Sequence, residues 1–157
     1  MDLFLNLPLL AAMTAIVFAQ AIKVPIRYAV TKEFMPGLVF GTGGMPSSHS
    51  AAVCALTTSI GLLDGVGSNT FAISFVFSVI IMFDASGIRR HAGNQAVVLN
   101  QLIKDFQMLV EGAKDWKDKA EYEKRQELKE LLGHQPIEVF FGGLTGVIIA
   151  ILLYNVI

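Results

Sequence analysis

Four long stretches of this chain carry no charged residue, and they constrain its fold more than any other sequence feature. They cover residues 3–22, 34–63, 65–83 and 139–157. Because a membrane-spanning helix needs about 20 mostly apolar residues, each stretch can hold one span. Only 16% of the 157 residues are charged, against roughly 25% in soluble domains. This composition argues against an ordinary soluble enzyme, and the length suits a single domain.

The pattern predicts an all-α integral membrane bundle, a single domain over residues 1–157. About four transmembrane helices are expected, at about 4–24, 48–65, 69–88 and 136–156. The glycine-rich residues 35–45 have turn chemistry. The second span therefore begins after them, where serine can cap a helix.

A charged amphipathic helical insertion is predicted between the third and fourth spans, at about residues 90–133. Its dense Lys, Glu and Asp, with a weak apolar stripe, indicate one or two solvated or interfacial helices. A break is expected near Gly112. The insertion is either a solvated connector or a binding face.

The positive charges are arranged asymmetrically along the chain. With four spans, all 12 Lys and Arg residues fall in the loops after spans one and three, on one side. Positive residues in short loops mark the cytoplasmic side, which predicts a multi-pass protein of the cell's inner membrane with both termini on the other side. The net charge of −1 offers no basic field for a nucleic-acid partner, and the single cysteine, Cys54, excludes an intramolecular disulfide framework.

Polar residues gather at the ends of the predicted spans on that same side. Each alone is commonly an interfacial anchor, but together they suit a phosphate site, in which cations and a helix N-terminus bind the anion. Two histidines can divide the roles of nucleophile and general acid. The set is Gln20, Lys23, Ser47, Ser48, His49, Asp84, Ser86, Arg89, Arg90, His91, His134 and Glu138.

Three segments carry a family resemblance. They read GGMPSSHSA at 43–51, DASGIRRHAGNQAVVLNQ at 84–101 and LGHQPIEVFFGG at 132–143. The chain resembles the divergent bacterial branch of the type 2 phosphatidic acid phosphatase and vanadium haloperoxidase superfamily. That superfamily has three motifs, K-x6-R-P, P-S-G-H and S-R-x5-H-x3-D.

The first two motifs match in part. Lys23 corresponds to the lysine of the first motif, but Val30 stands where the superfamily has arginine, and Arg27, one turn along, is the candidate substitute. The second motif corresponds to residues 46–49, with Ser48 in place of glycine.

The third motif is split in this resemblance. Ser86 and Arg89 resemble its first half, while His134 and Glu138 resemble its second half, with glutamate replacing aspartate. Residues 90–132 are then an insertion inside the motif. His91 competes with His134 for the role of nucleophile.

The resemblance implies a phosphatase mechanism without a metal or other cofactor. His134 would attack phosphorus, Glu138 would hold its tautomer, and His49 would protonate the leaving alkoxide. Asp84 has no counterpart in the motif and, with His91, is a possible supporting residue; pairing with a cation or binding a metal are the roles left open for it. The phosphate would be bound by Lys23, Arg27, Ser47, Ser48, Arg89 and Arg90.

The cytoplasmic orientation makes a lipid phosphate of the inner leaflet the expected substrate, of the phosphatidylglycerophosphate or phosphatidic acid class. One alternative is a non-catalytic protein that binds phospholipid headgroups or acts as a scaffold. Another is a small transporter or channel component, which the absence of charge near mid-membrane disfavours. A homodimer is a further expectation, since Gly142-x-x-x-Gly146 is a helix-contact pattern.

Overall fold

The computed structural model describes residues 6–32, 34–41, 43–111 and 134–156. Within these residues every regular element is helical, which confirms the predicted all-α class. A 3-10 helix, Pro36–Phe40, lies between the first two of five α-helices. The α-helices are α1 (Leu7–Thr31), α2 (Ser48–Asp64), α3 (Asn69–Ser86), α4 (Ile88–Glu111) and α5 (Pro136–Val156).

The first three α-helices begin at short polar side chains that accept hydrogen bonds from first-turn amides. Asn6 accepts from the Leu9 amide at 3.0 Å, and Ser68 accepts from the Phe71 amide at 3.1 Å. Ser47 caps α2 in the same way. Such caps satisfy amides that have no carbonyl partner inside the helix. The capping serine expected at the start of the second span is therefore present.

The first span differs from its predicted end at residue 24. Helix α1 continues through Pro25 to Thr31, and Lys32 ends it in a left-handed conformation, with φ of 60°. An internal proline removes one N–H donor, and the helix continues on either side of it.

Three helical segments in the described part of the chain are long and apolar enough to cross a membrane: Leu7–Thr31, Asn69–Met108 and Pro136–Val156. The second of them joins α3 to most of α4. Helix α2 has 17 residues, about the lower limit for a spanning helix. Its crossing of the membrane, and with it the count of four spans, stays a prediction.

Helix α2 is the centre of the bundle and contacts α1, α3 and α5. The core is built mainly from small side chains, because alanine and glycine let helix backbones approach closely. Its buried members are Ala11, Ala15, Ala19, Ala51, Ala55, Ile149 and Ala150.

Two glycines of α5 set the contact with α2. A Cβ at Gly142 would meet the carbonyl of Ser47, and a Cβ at Gly146 would meet that of Ala51. Because both contacts advance together along the chain, α2 and α5 run parallel. The Gly142-x-x-x-Gly146 pattern therefore makes a contact between two helices of the same chain, and it no longer supports a homodimer. The homodimer stays a prediction.

The bundle has two distinct ends. The N-termini of α2 and α5 meet the C-termini of α1 and α3 at one end, which we call the site end. At the other end, Asn6, Asp64, Thr70 and Tyr154 line an open pocket with their apolar neighbours. The predicted insertion begins at the site end as α4, while residues 112–133, including the break expected near Gly112, lie outside the described residues.

Candidate active site

His134 and Glu138 form a hydrogen-bonded pair at the start of α5. His134 Nδ1 lies 3.0 Å from Glu138 Oε2. The two residues are four apart in the sequence, but His134 precedes the helix, which begins at Pro136. The pair forms because Glu138, in the first turn, reaches back toward the residues before the helix, as glutamate does in a capping box.

The same carboxylate oxygen also accepts a hydrogen bond from the Gln135 amide, at 3.0 Å. An ionised carboxylate can only accept hydrogen bonds, so Nδ1 of His134 carries the hydrogen, and in the neutral imidazole this leaves the lone pair on Nε2. Only 2% of His134 is exposed. Its Nε2 is buried without a hydrogen-bond partner among the described residues. This arrangement is expected of a histidine whose Nε2 acts as the nucleophile.

His49 faces His134 from the first turn of α2. The ring centroids are 6.3 Å apart and the rings are inclined by 59°. Two imidazoles at this separation can act on one small group between them. The N-terminus of a helix also attracts anions, through its free amides and the helix dipole.

Main-chain contacts fix the two histidine-bearing elements relative to each other. The Ser47 amide donates to the carbonyl of Glu138 at 3.0 Å. Ser47 and Ser48 are both buried, and the Ser50 hydroxyl donates to Ser47 Oγ at 3.1 Å. The start of α2 is thereby held against the first turn of α5.

Lys23 is a buried cation near the end of α1, with 2% of its surface exposed. Its Nζ donates to the carbonyl of Gly41 at 3.3 Å, and the ammonium interacts electrostatically with Glu138. An ammonium has three donors, so hydrogens remain for a further acceptor. Burial of a charge is costly unless it has such partners.

The structure brings the two halves of the split third motif together. The His134 amide donates to the carbonyl of Ala85, next to Ser86 in the chain, at 2.9 Å. Helix α4 leaves the bundle between them, beginning at Ile88. The two ends of the intervening stretch therefore meet at the site, and its being an insertion stays a prediction.

The remaining predicted residues differ in position. Arg27 is exposed on α1, and Asp84 is half-buried beside Ala85. The side chain of His91 is exposed on α4, unlike that of buried His134, and the choice of nucleophile between them stays a prediction. The side chains of Arg89 and Arg90 lie outside the described residues.

One polar residue of the predicted set, Gln20, has no assigned role in the predicted mechanism. Gln20 lies one helical turn before Lys23, and its Oε1 is buried without a hydrogen-bond partner in the described part of the chain. In the sequence, Gln20 is a polar residue near the end of the charge-free stretch 3–22. No three His, Cys, Asp or Glu side chains among the described residues lie together as a candidate metal site.

The protein is thus an all-α membrane bundle whose buried histidine is hydrogen-bonded to a carboxylate. Such a histidine makes this end of the bundle a candidate phosphoryl-transfer site. The chain belongs to the divergent PAP2 family, which it matches over residues 4–149, and this confirms the resemblance seen in the sequence. It is similar to YuiD of Bacillus subtilis (strain 168), described as an uncharacterized membrane protein. The two are 58% identical over 153 residues, which cover 98% of this chain and 97% of the relative. No solved structure gives a significant match.

Proposed function

We propose that the protein is a membrane phosphatase that hydrolyses a lipid phosphate monoester through a phosphohistidine intermediate. Family membership supports a phosphatase-related origin. The observation that carries the proposal is the state of His134: Nδ1 is held by Glu138, and Nε2 is buried and unpartnered within the described residues.

In the first step, His134 Nε2 attacks phosphorus, and the bond from phosphorus to the ester oxygen breaks. His49, protonated at that point, gives its proton to the leaving alkoxide, which departs as an alcohol. Glu138 stabilises the imidazolium that forms on His134, as a carboxylate does for a catalytic histidine.

In the second step, water attacks the phosphohistidine and the bond from phosphorus to Nε2 breaks. His49, now neutral, accepts the proton of the water, so that phosphate leaves and both histidines return to their starting states. General acid and base catalysis of this kind contributes about 10²–10⁴-fold.

Negative charge on the phosphoryl oxygens would be stabilised by Lys23, by Ser47 and by the first-turn amides of α2. Preorganised donors of this type often lower the activation barrier more than any other group in an active site. Arg27, Arg89 and Arg90 are proposed as further phosphate contacts, with Asp84 in a supporting role. The proposed steps use no metal or other cofactor.

The charge asymmetry of the loops supports a site that opens to the cytoplasm. We therefore propose an inner-membrane location and a substrate in the cytoplasmic leaflet, of the phosphatidylglycerophosphate or phosphatidic acid class.

The three histidines of the chain allow a matched test in detergent. We expect His134→Ala and His49→Ala to lose phosphate release by about 10²-fold or more, while His91→Ala keeps nearly all of it. The measurement is phosphate release from phosphatidylglycerophosphate, phosphatidic acid and polyprenyl diphosphate, with and without EDTA. Full activity of both His134→Ala and His49→Ala, with the fold retained, would contradict the proposal, and loss on EDTA treatment would contradict its metal-free chemistry.

A second candidate function is headgroup binding without catalysis. It is favoured by Val30, which stands where the superfamily has arginine and whose side chain is exposed on α1. This candidate predicts saturable binding of lipid phosphate with no phosphate release from any of the three substrates.

A further inference from the structure

Helix α4 presents a row of large apolar side chains that the other described residues leave uncovered. Val98 is 67% exposed, Leu102 62% and Phe106 61%. These residues are four apart and therefore lie along one face of the helix. Leu99 and Ile103, beside the row, are also exposed. We call this surface the α4 apolar face.

The other sides of α4 have a different character. Ala96 and Asn100 are buried, so the side of the helix that is turned inward is not the apolar face. Lys104 is exposed and lies roughly opposite Leu102, because each residue turns the helix by about 100°. The exposed Gln101 amide donates to Asp105 at 2.8 Å. Helix α4 is thus amphipathic, with its apolar face directed away from the protein.

Helix α4 lies next to a helix that faces lipid, and this indicates what covers its apolar face. Helix α3 ends at Ser86 and α4 begins at Ile88. In α3, Val76, Ile80 and Phe83 are exposed, as expected where a membrane-spanning helix faces lipid. Helix α4, with its apolar face, therefore begins directly after the lipid-facing helix α3, at the site end.

Helix α4 is itself too polar to be a membrane span. Residues 88–111 include Arg89, Arg90, Lys104, Asp105 and Glu111, and each charge at the centre of a bilayer costs about 2.5–3.5 kcal/mol on the insertion scale. An amphipathic helix with one charged face and one apolar face lies in the plane of the interface instead.

We propose that α4 binds the phospholipid surface at the site end, with its apolar face inserted among the upper acyl chains. The partner is the bilayer leaflet itself. Since Ala85, which accepts the His134 amide, lies three residues before α4, this docking sets the site at the level of the headgroups. The inference does not depend on catalytic activity.

The test uses depth-dependent quenching of tryptophan fluorescence in the full-length protein, reconstituted in vesicles of phosphatidylcholine and phosphatidylglycerol. The chain has one tryptophan, Trp116, so Trp116→Phe gives a silent background. Into it we introduce Phe106→Trp, a small change on the apolar face, Leu102→Trp on the same face, and Lys104→Trp as the control on the other side.

With lipids brominated on their acyl chains, we expect Phe106→Trp and Leu102→Trp to lose most of their fluorescence, and Lys104→Trp to keep most of it. Aqueous iodide should give the reverse order. Quenching of all three by iodide alone would overturn the proposal, since α4 would then be solvated. Protection of positions 102 and 106 from both quenchers would also overturn it, since protein would then cover the face, as a second copy or residues 112–133.

Discussion

Helix α2 contacts α5 and α3 by two different chemistries. Against α5 the contact is made by main chain, since Gly142 and Gly146 leave no room for a side chain beside Ser47 and Ala51. Against α3 it is made by hydroxyls: Thr57 Oγ1 and Ser78 Oγ are 2.7 Å apart, and both residues are buried.

These two contacts show how a small membrane bundle can hold a site. Lipid removes the hydrophobic drive between helices, so that close packing and interhelical hydrogen bonds remain. The glycine contact brings the first turns of α2 and α5 into register, where the Ser47 amide reaches the Glu138 carbonyl. The hydroxyl contact lies further along α2, away from the histidines. We therefore expect the first contact to control stability and the site, and the second only stability.

The largest effect is expected from Gly146→Ala. Its Cβ would meet the Ala51 carbonyl and lie 2.9 Å from the Ala55 nitrogen, and main-chain atoms cannot rotate away as a side chain can. Overpacking should lower the free energy of unfolding by about 3 kcal/mol, measured by SDS titration in mixed micelles.

The control for Gly146→Ala is Gly67→Ala, because an added Cβ at Gly67 meets nothing within 4 Å. Gly67→Ala should leave the free energy of unfolding nearly unchanged. Equal stability of both variants would show that α5 can move away from α2 without a loss of free energy. The α2–α5 contact would then not control stability.

A smaller loss of stability, about 2 kcal/mol, is expected from Gly142→Ala. Its Cβ would press on the Ser47 carbonyl and lie 3.0 Å from both the Ser47 nitrogen and Ser50 Cβ. Because Ser47 is tied to Glu138, the folded fraction of this variant should also release phosphate more slowly than the folded fraction of Gly146→Ala. Equal turnover per folded molecule would show that register at Ser47 does not govern the site.

The smallest effect is expected from Ser78→Ala. Its hydroxyl lies between Thr57 of α2 and main-chain carbonyls, donating to Val53 O at 3.0 Å or to Ser74 O at 2.9 Å. Loss of an interhelical hydrogen bond in a membrane costs about 0.6 kcal/mol on average, and turnover should not change.

Ser59→Ala is the matched control for Ser78→Ala. Ser59 is also buried, but it donates to the Ala55 carbonyl at 2.8 Å within its own helix. This variant should be closer to wild type in the SDS titration. If Ser59→Ala were the more damaging of the two, the role assigned to the contact between helices would be wrong.

Much of the fold follows from where charges are missing, since a charge in lipid is costly whatever its neighbours. The same reasoning places Lys23, His49 and His134 at one end of the bundle from the amino-acid sequence alone. The positions of the charges do not predict the extension of α1 to Thr31. Charges can mark the end of a membrane span while the helix itself continues.

The family resemblance implies the pairing of His134 with Glu138, but it does not show that the first turn of α5 produces it. The contacts of Lys23 with the Gly41 carbonyl and of His134 with the Ala85 carbonyl have no sequence signal at all. Both acceptors are main-chain oxygens, which every residue carries.

The order of amino acids is enough to predict which segments favour lipid and which polar groups gather at one end, because these depend on the solvation free energy of individual side chains. Tertiary structure alone decided that His134 is buried and His91 exposed, and that Gly142 and Gly146 contact α2 within the same chain. Those outcomes depend on which backbones approach each other across long separations in sequence, and close packing between helices sets that geometry.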